Sequence, residues 1–256
     1  NFHTIFTSAT LTNLVSEDLT KAYSYFIQNT MFPINDSILS EVKYSPFAYD
    51  KHAKLFYTDD ITSPSKDRGK FIDESIDLVK KILDISQGKA LILFTSKADM
   101  NAVYTRLKTL NLNYTLIKQN EISSQQQLIH KFKQDVNSVL LGTEVFWEGI
   151  SIEGIALSNL IIYKLPFPLP EPIINEKCKR SKNPLEEVLV PEMIIKLKQG
   201  VGRLIRNKTD KGIVSIIDSR LGDKSKASYK EKVWQALPIK QRTNSLKELQ
   251  SFYDNL

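Results

Sequence analysis

The sequence predicts an α/β protein with a doubly wound, mainly parallel sheet and helices on both faces. Short apolar runs rich in β-branched residues recur along the chain, and such runs are typical of strands buried on both faces of a parallel sheet. Segments with helical periodicity separate them, as in βαβ units. The predicted strands are residues 4–6, 54–57, 90–94, 114–117, 138–141, 159–163 and 212–217.

Helical periodicity covers residues 70–85, 97–110, 123–134 and 191–205. Ser123 followed by Gln126 predicts a capping box at the start of the third helix. Two other stretches lack periodicity. Residues 12–48 mix aromatic and polar residues and are interpreted as a crossing segment, and residues 165–172 contain four prolines, which predict an extended surface segment.

The composition narrows the class of protein. The 256 residues are 41% hydrophobic and 25% charged, which is ordinary for a domain with a buried core, and the net charge of +6 weakly favours a polyanionic partner. No apolar run reaches the roughly 18 residues that a membrane span needs, so no membrane contact is expected. Cys178 is the one cysteine, so a reducing cytoplasm is expected, with no internal disulfide and no metal site in this chain. The first residues lack a signal-peptide pattern and an initiator methionine, which is interpreted as a piece of a longer protein.

Two stretches at predicted strand ends carry hydroxyl groups. Ser8, Ala9 and Thr10 follow the first predicted strand, a signal that is weak alone. Thr95, Ser96 and Lys97 follow a buried strand where a helix begins. Open α/β sheets bind ligands at such positions, and a helix N-terminus suits a phosphate group. The alternative is a plain helix cap by Thr95 or Ser96.

A third stretch, residues 140–150, crowds one loop with Thr143, Phe146, Trp147, Glu148 and Gly149. An exposed Phe–Trp pair is costly unless something packs on it. The two rings therefore belong either to the core or to a surface on which a nucleic-acid base stacks.

The fourth stretch is the most specific. Gln199, Arg203 and Arg206 are spaced at i, i+4 and i+7, which predicts one shared helical face, and Gly202 would allow a neighbouring backbone to approach closely. Arginine suits the charge on a transferring γ-phosphoryl group, because its planar guanidinium is always charged. The alternative is a solvated basic face.

In this order, S-A-T-L, L-F-T-S-K, G-T-E-V-F-W-E-G-I and Q-G-V-G-R-L-I-R resemble motifs III to VI of superfamily 2 helicases, most closely the DinG/XPD branch. The resemblance implies the second RecA-like motor domain of an ATP-dependent DNA helicase or translocase that acts on single-stranded DNA in repair or replication. Residues 1–45 would be the end of the first motor domain with the crossing segment, and residues 46–256 the second motor domain.

The resemblance also implies roles for single residues. Gln199, Arg203 and Arg206 would face the γ-phosphate of ATP, and Glu148, Gly149 and Gly202 would couple nucleotide to DNA. Direct DNA contacts would come from Thr95, Ser96, Lys97, Thr143, Phe146 and Trp147. ATP and Mg²⁺ would be held mostly by the first motor domain, because this sequence has no G-x-x-x-x-G-K-[ST] phosphate loop, so the chain alone should be inactive.

The sequence leaves two questions open and argues against one further class of enzyme. Ser151 stands where this branch usually has aspartate, so a RecA-like module that binds nucleic acid without productive hydrolysis is the alternative function. Some DinG-like proteins carry an N-terminal 3′–5′ exonuclease domain, which would lie outside this sequence. A Rossmann-type metabolic enzyme would need a glycine fingerprint after the first strand, and the sequence has none.

Overall fold

A computed structural model describes residues 4–8, 11–12, 16–42, 45–120, 123–147, 152 and 156–256. Its centre is a seven-stranded sheet in the order β3-β4-β2-β5-β6-β1-β7, in which every pairing is parallel. The predicted fold class is therefore confirmed. The strands are β1 (Ala53–Tyr57), β2 (Ala90–Leu93), β3 (Leu116–Lys118), β4 (Val139–Gly142), β5 (Asn159–Ile162), β6 (Gly212–Ile216) and β7 (Arg242–Thr243).

The helices surround this sheet. They are α1 (Leu19–Ala22), α2 (Ser24–Thr30), α3 (Tyr49–His52), α4 (Arg68–Ser86), α5 (Lys97–Lys108), α6 (Gln125–Gln134), α7 (Pro172–Arg180), α8 (Val190–Val201), α9 (Lys230–Ala236) and α10 (Leu246–Asp254). Short 3-10 turns cover Ile34–Asp36, Glu144–Phe146 and Ser219–Leu221, and a π-helical turn over Leu185–Leu189 leads into α8. No helix within the described ranges has the length and apolarity needed to cross a membrane.

Two apolar cores lie on opposite faces of the sheet, because successive strand residues point to opposite sides. Leu91 and Leu93 pack in one core with residues of α6, α8 and α9. Ala90 and Ile92 pack in the other with residues of α4, α5 and α10. All four residues of β2 are buried, as the continuous apolar run predicted.

The structure differs locally from the predictions. Residues 4–6 form no strand, and Ile5 is 88% exposed. The two-residue strand β7 was not predicted, because two residues show no periodicity. The capping box of α6 is formed by Ser124 and Gln127, one position later than predicted. The end of the proline segment begins α7, since a proline fits the first turn of a helix.

Candidate functional site

A crevice opens at the carboxyl edge of the sheet beside β2. β2 leads into α5 on one face, whereas its neighbour β5 leads through the proline segment to α7 and α8, and α8 covers the other face. Ligands of open α/β sheets bind where neighbouring strands diverge in this way. A cavity of about 300 Å³ lies there, lined among others by Thr95, Glu144, Phe167, Lys196 and Gln199. The structure thus brings together Thr95, which was predicted to contact DNA, and Gln199, which was predicted to face the γ-phosphate of ATP.

The start of α5 carries the first group of predicted DNA contacts. Ser96 is the N-cap, and its hydroxyl accepts a hydrogen bond from the Asp99 backbone N–H at 3.3 Å. Thr95 is half-buried and Lys97 is exposed. The capping alternative is confirmed for Ser96, and the DNA contacts of these three residues stay a prediction.

Thr143 does not have the exposure that its predicted DNA contact requires. It is 2% exposed, and its backbone N–H and its hydroxyl donate to Gln119 Oε1 at 2.7 and 3.1 Å. The direct contact is therefore wrong for this conformation, because the hydroxyl is turned toward the protein. Gln119 follows β3 at the same edge, and it was not predicted because a single glutamine after an edge strand forms no pattern.

Phe146 and Trp147 belong to the core. Both side chains are 0% exposed, and Trp147 Nε1 donates to the Phe94 carbonyl oxygen at 2.9 Å. A Cβ atom on Gly142 would lie 2.4 Å from the Phe146 ring, so glycine is what lets this ring fold back onto β4. The predicted stacking of DNA bases on these rings is wrong, because neither ring presents a free face.

Trp147 joins the predicted motifs to one another. Its indole bonds the end of β2, and a Cβ atom on Gly200 of α8 would lie only 2.7 Å from its ring. Its carbonyl oxygen accepts a hydrogen bond from Arg203 Nε at 2.9 Å. Through its side chain and its backbone carbonyl, this one buried residue therefore fixes the relative positions of the β2 end, the loop after β4 and the arginine stretch.

The arginine stretch is not one helical face. α8 ends at Val201, so Gln199 lies on the helix while Arg203 and Arg206 lie in the segment beyond it. The backbone N–H groups of Arg206 and Asn207 donate to Asp210 Oδ2 at 2.8 and 3.0 Å. These bonds replace helical ones and hold the chain in a turn.

Gly202 also differs from its prediction. It is the C-cap of α8, and the nearest atoms to a Cβ built on it are carbonyl oxygens of the preceding helical turn. The close approach occurs instead at Gly200, against Trp147. Glu148 and Gly149, like Ser151, Ala9 and Thr10, lie outside the described residues.

A buried carboxylate anchors the proline segment that forms one wall of the cavity. Asp218 is 0% exposed and accepts hydrogen bonds from the Leu165 backbone N–H at 2.9 Å and from Arg220 Nε and Nη2 at 2.9 and 2.7 Å. The Arg220 guanidinium lies 5.1 Å from the centre of the Phe167 ring. Burial alone would lower the pKa of Arg220, but the bonds and charge of Asp218 outweigh burial and raise it above its usual value.

Comparison with known proteins shows the family of the chain. The family profile of the helicase C-terminal domain matches residues 79–240. The chain belongs to this helicase C-terminal domain family. It is 33% identical over 258 residues to the ATP-dependent DNA helicase YoaA of Haemophilus influenzae, covering 98% of this chain and 38% of that protein. It is 33% identical over 216 residues to the 3′-5′ exonuclease DinG of Bacillus subtilis, covering 80% of this chain and 22% of that protein.

A solved XPD helicase shares the fold, with a TM-score of 0.57 and 22% identity over 72% of this chain and 34% of that chain. Within the helicase C-terminal family the chain is therefore of the DinG/XPD type. It spans 38% or less of the two relatives and of the XPD chain named here. The rest of each of those proteins lies outside the aligned part.

Gln199 lines the cavity at the carboxyl edge, and its carboxamide can donate hydrogen bonds to an anion. Arg203 and Arg206 carry guanidinium groups, the donors that suit phosphate oxygens. The bond from Arg203 Nε to the Trp147 carbonyl oxygen orients the Arg203 guanidinium. Within the described part of the chain there is no cluster of three or more metal-ligating side chains that could hold a metal ion.

Proposed function

We propose that this chain is the second motor domain of an ATP-dependent DNA helicase or translocase that moves on single-stranded DNA. Gln199, Arg203 and Arg206 complete an ATP site whose phosphate loop and Mg²⁺ ligands lie on the first motor domain of the same protein. Residues 1–45 contain the end of that first domain and the crossing segment, and residues 46–256 are the second domain. The family membership supports the ATP-dependent helicase class.

The observation that carries the proposal is the position of Trp147. A motor must transmit a change at the nucleotide to the DNA, and Trp147 contacts both stretches that the two ligands need. It bonds Phe94, the residue before Thr95, and it bonds Arg203. A shift of Arg203 during hydrolysis therefore reaches the start of α5 through one residue, because Arg203 bonds the Trp147 backbone carbonyl and the Trp147 indole bonds Phe94.

The chemistry of this chain in hydrolysis is electrostatic. ATP supplies the phosphoryl group that is transferred, and in the transition state negative charge is spread over the three equatorial oxygens of that group. Arg203 and Arg206 stabilise that charge, and their effect on the rate exceeds their effect on binding. Lys97, Ser96 and Thr95 hold the DNA backbone, which makes affinity strongly dependent on salt.

Replacement of Arg206 in the full-length protein tests the proposal. Arg206→Ala should lower DNA-stimulated ATP hydrolysis by about 10³-fold or more, the usual effect of losing an arginine finger, with nearly unchanged affinity for single-stranded DNA. Arg206→Lys should restore little, because one ammonium group cannot reproduce a planar guanidinium. The control is Arg180→Ala, which removes an exposed arginine on α7 that pairs with Glu176.

ATP turnover and single-strand affinity are measured on the same preparations. If Arg206→Ala loses DNA affinity and keeps its turnover, the arginine stretch is a DNA-facing surface and the assignment is wrong. Arg203→Ala should resemble Arg206→Ala and also raise the apparent KM for ATP.

Ser151 favours a second function, a RecA-like module that grips single strands without productive hydrolysis. Ser151→Asp in the full-length protein separates the two. A serine that merely slows a working motor predicts higher DNA-stimulated turnover in the variant. A module without hydrolysis predicts no turnover in either protein. A 3′–5′ exonuclease domain in the parent, as in the protein named DinG above, is a further part of the proposal, and nuclease assays of the full-length protein test it.

A further inference from the structure

The first turns of α4 and α5 share an ion cluster around one buried carboxylate at the carboxyl edge of the sheet. Asp99 is 2% exposed and accepts a hydrogen bond from Arg68 Nε at 2.7 Å and another from Lys164 Nζ at 2.5 Å. A carboxylate is rarely buried this completely unless it is paired and bonded. The cluster therefore fixes the side chains of Arg68 on α4, Asp99 on α5 and Lys164, which lies just beyond β5.

Arg68 is the member of the cluster that faces outward. Its side chain is 55% exposed, whereas that of Lys164 is 24% exposed. The Nε of Arg68 donates its hydrogen bond to Asp99. In the described part of the chain, the two Nη groups of Arg68 make no hydrogen bond. A guanidinium held by Nε with free Nη groups is oriented for an anion, and phosphate is the anion that its fork fits best.

Charge at this position also favours an anionic ligand. Asp99 neutralises one of its two cations, so the cluster keeps a net positive charge. Lys97 adds a further cation two residues away on α5. The nearby Asp67 caps α4, where its carboxylate accepts a hydrogen bond from the Lys70 backbone N–H at 3.0 Å.

We infer that Arg68, held by Asp99, is a further contact for the backbone phosphates of single-stranded DNA. Arg68 extends the path that Thr95, Ser96 and Lys97 begin, from the start of α5 to the start of α4. It lies outside residues 79–240, the range that the family profile matches. The inference rests on the proposed binding of single-stranded DNA.

Salt titrations of single-strand affinity test this inference on the chain itself. A labelled oligonucleotide is titrated by fluorescence anisotropy at several salt concentrations. Arg68→Ala should weaken binding and reduce the slope of log K against log salt by about 0.7, the value for one phosphate contact on a single strand. The matched control is Arg106→Ala, because Arg106 on α5 pairs with Asp73 on α4 at 2.8 Å and is also part-exposed. It changes the net charge equally and should leave the slope unchanged.

Asp99→Asn separates positioning from bulk charge. This variant makes the chain more positive, so bulk charge predicts tighter binding, whereas loss of the anchored guanidinium predicts weaker binding. Asp73→Asn is its matched control. Should Asp99→Asn prove unfolded by circular dichroism, Arg68→Lys keeps the ion pair and the charge. We expect Arg68→Lys to bind more weakly than the unaltered chain, because its single ammonium group is held by Asp99.

The outcomes distinguish the inference from the proposed function. If the unaltered chain does not bind single-stranded DNA at low salt, the proposed function fails and the inference falls with it. If Lys97→Ala reduces the slope and Arg68→Ala behaves like Arg106→Ala, only the inference is overturned. Tighter binding by a folded Asp99→Asn variant, or unchanged binding by Arg68→Lys, also overturns it.

Discussion

Trp147 packs against a position on α8 where no side chain fits. A Cβ atom at Gly200 would lie 2.7 and 2.9 Å from two ring carbons, closer than side-chain contacts allow. The indole cannot move away easily, because its Nε1 bonds Phe94 and the whole side chain is buried. This packing explains why α8 tolerates a glycine, which otherwise weakens a helix.

Gly200→Ala should therefore destabilise the domain by about 1–3 kcal/mol, the usual cost of overpacking a core. Urea unfolding followed by tryptophan fluorescence measures the change. Gly69→Ala is the control, because its Cβ would meet only Asp67 Oδ1 at 3.5 Å and alanine favours α4. That control should be neutral or stabilising by about 0.5–1 kcal/mol. Equal stability of Gly200→Ala and the unaltered chain would show that the indole is free to shift.

Single residues were predicted unevenly from the sequence. The spacing of Gln199, Arg203 and Arg206 predicted a shared helical face that the structure does not form, and the role of these residues stays a prediction. Thr95 and Gln199 do line one cavity. The close approach predicted for Gly202 occurs at Gly200, because it depends on Trp147, which lies 53 positions away in sequence from Gly200. Gln119 and Arg68 were missed, since each gains its partner only when strands and helices come together.

At the scale of elements, the proline segment is the least regular wall of the cavity, and Asp218 holds it in place. The segment has few backbone donors, because proline lacks an N–H group. The hydrogen bond from the Leu165 N–H therefore contributes more to holding this segment than one backbone hydrogen bond contributes to a helix. Its acceptor, Asp218, is shared with Arg220, whose guanidinium covers the Phe167 ring.

Asp218→Asn should destabilise the domain by about 3 kcal/mol or more, because it leaves the part-buried guanidinium of Arg220 without its counterion. Limited proteolysis should cut residues 165–171 faster in the variant, and urea unfolding measures the loss. Asp60→Asn, which removes an exposed partner of Lys224, should change neither measurement. A variant with normal proteolysis would mean that packing alone holds the segment.

Elements with long apolar periodicity were predictable, and their ends were not. The strands β1, β2, β4, β5 and β6 lie where continuous apolar runs placed them, because burial on both faces requires such runs. The predicted helix over residues 191–205 stops at Val201, since Asp210 supplies side-chain acceptors that no periodicity reveals. The capping box moved by one residue because two adjacent serines each precede a glutamine at the required spacing.

At the scale of the whole molecule, burial of tyrosines sets the response to alkaline pH. Burial is the largest cause in each of seven tyrosines whose pKa is raised, namely Tyr25, Tyr49, Tyr57, Tyr114, Tyr163, Tyr229 and Tyr253. In the unfolded chain tyrosine ionises near pH 10, at about its ordinary pKa. Above that pH the unfolded state has lost protons that the folded state keeps.

Stability from these tyrosines is therefore fully present below about pH 10 and is lost as pH rises further. Ultraviolet absorbance of tyrosinate should show a native titration shifted well above that of the urea-unfolded chain. Unfolding free energies measured at increasing pH should fall in the same range. Coincident titrations of a chain that circular dichroism shows to be folded would contradict the burial of these hydroxyl groups.

The proposed function makes this chain one half of a motor. The chain alone should bind single-stranded DNA with strong salt dependence and should neither bind ATP tightly nor hydrolyse it. Its net charge of +6 and the cations at the carboxyl edge suit the DNA backbone. For ATP it offers donors for the phosphate oxygens, and its sequence contains no phosphate loop.

Phosphate release by the purified chain, with and without single-stranded DNA, measures this directly. An arginine finger accelerates transfer only when the phosphate chain and its Mg²⁺ are already held opposite it, and this requires the first motor domain. The full-length protein, assayed in parallel, should hydrolyse ATP and respond to DNA. Sustained turnover by the chain alone, abolished by Arg206→Ala, would place the complete site within these 256 residues and contradict the two-domain arrangement.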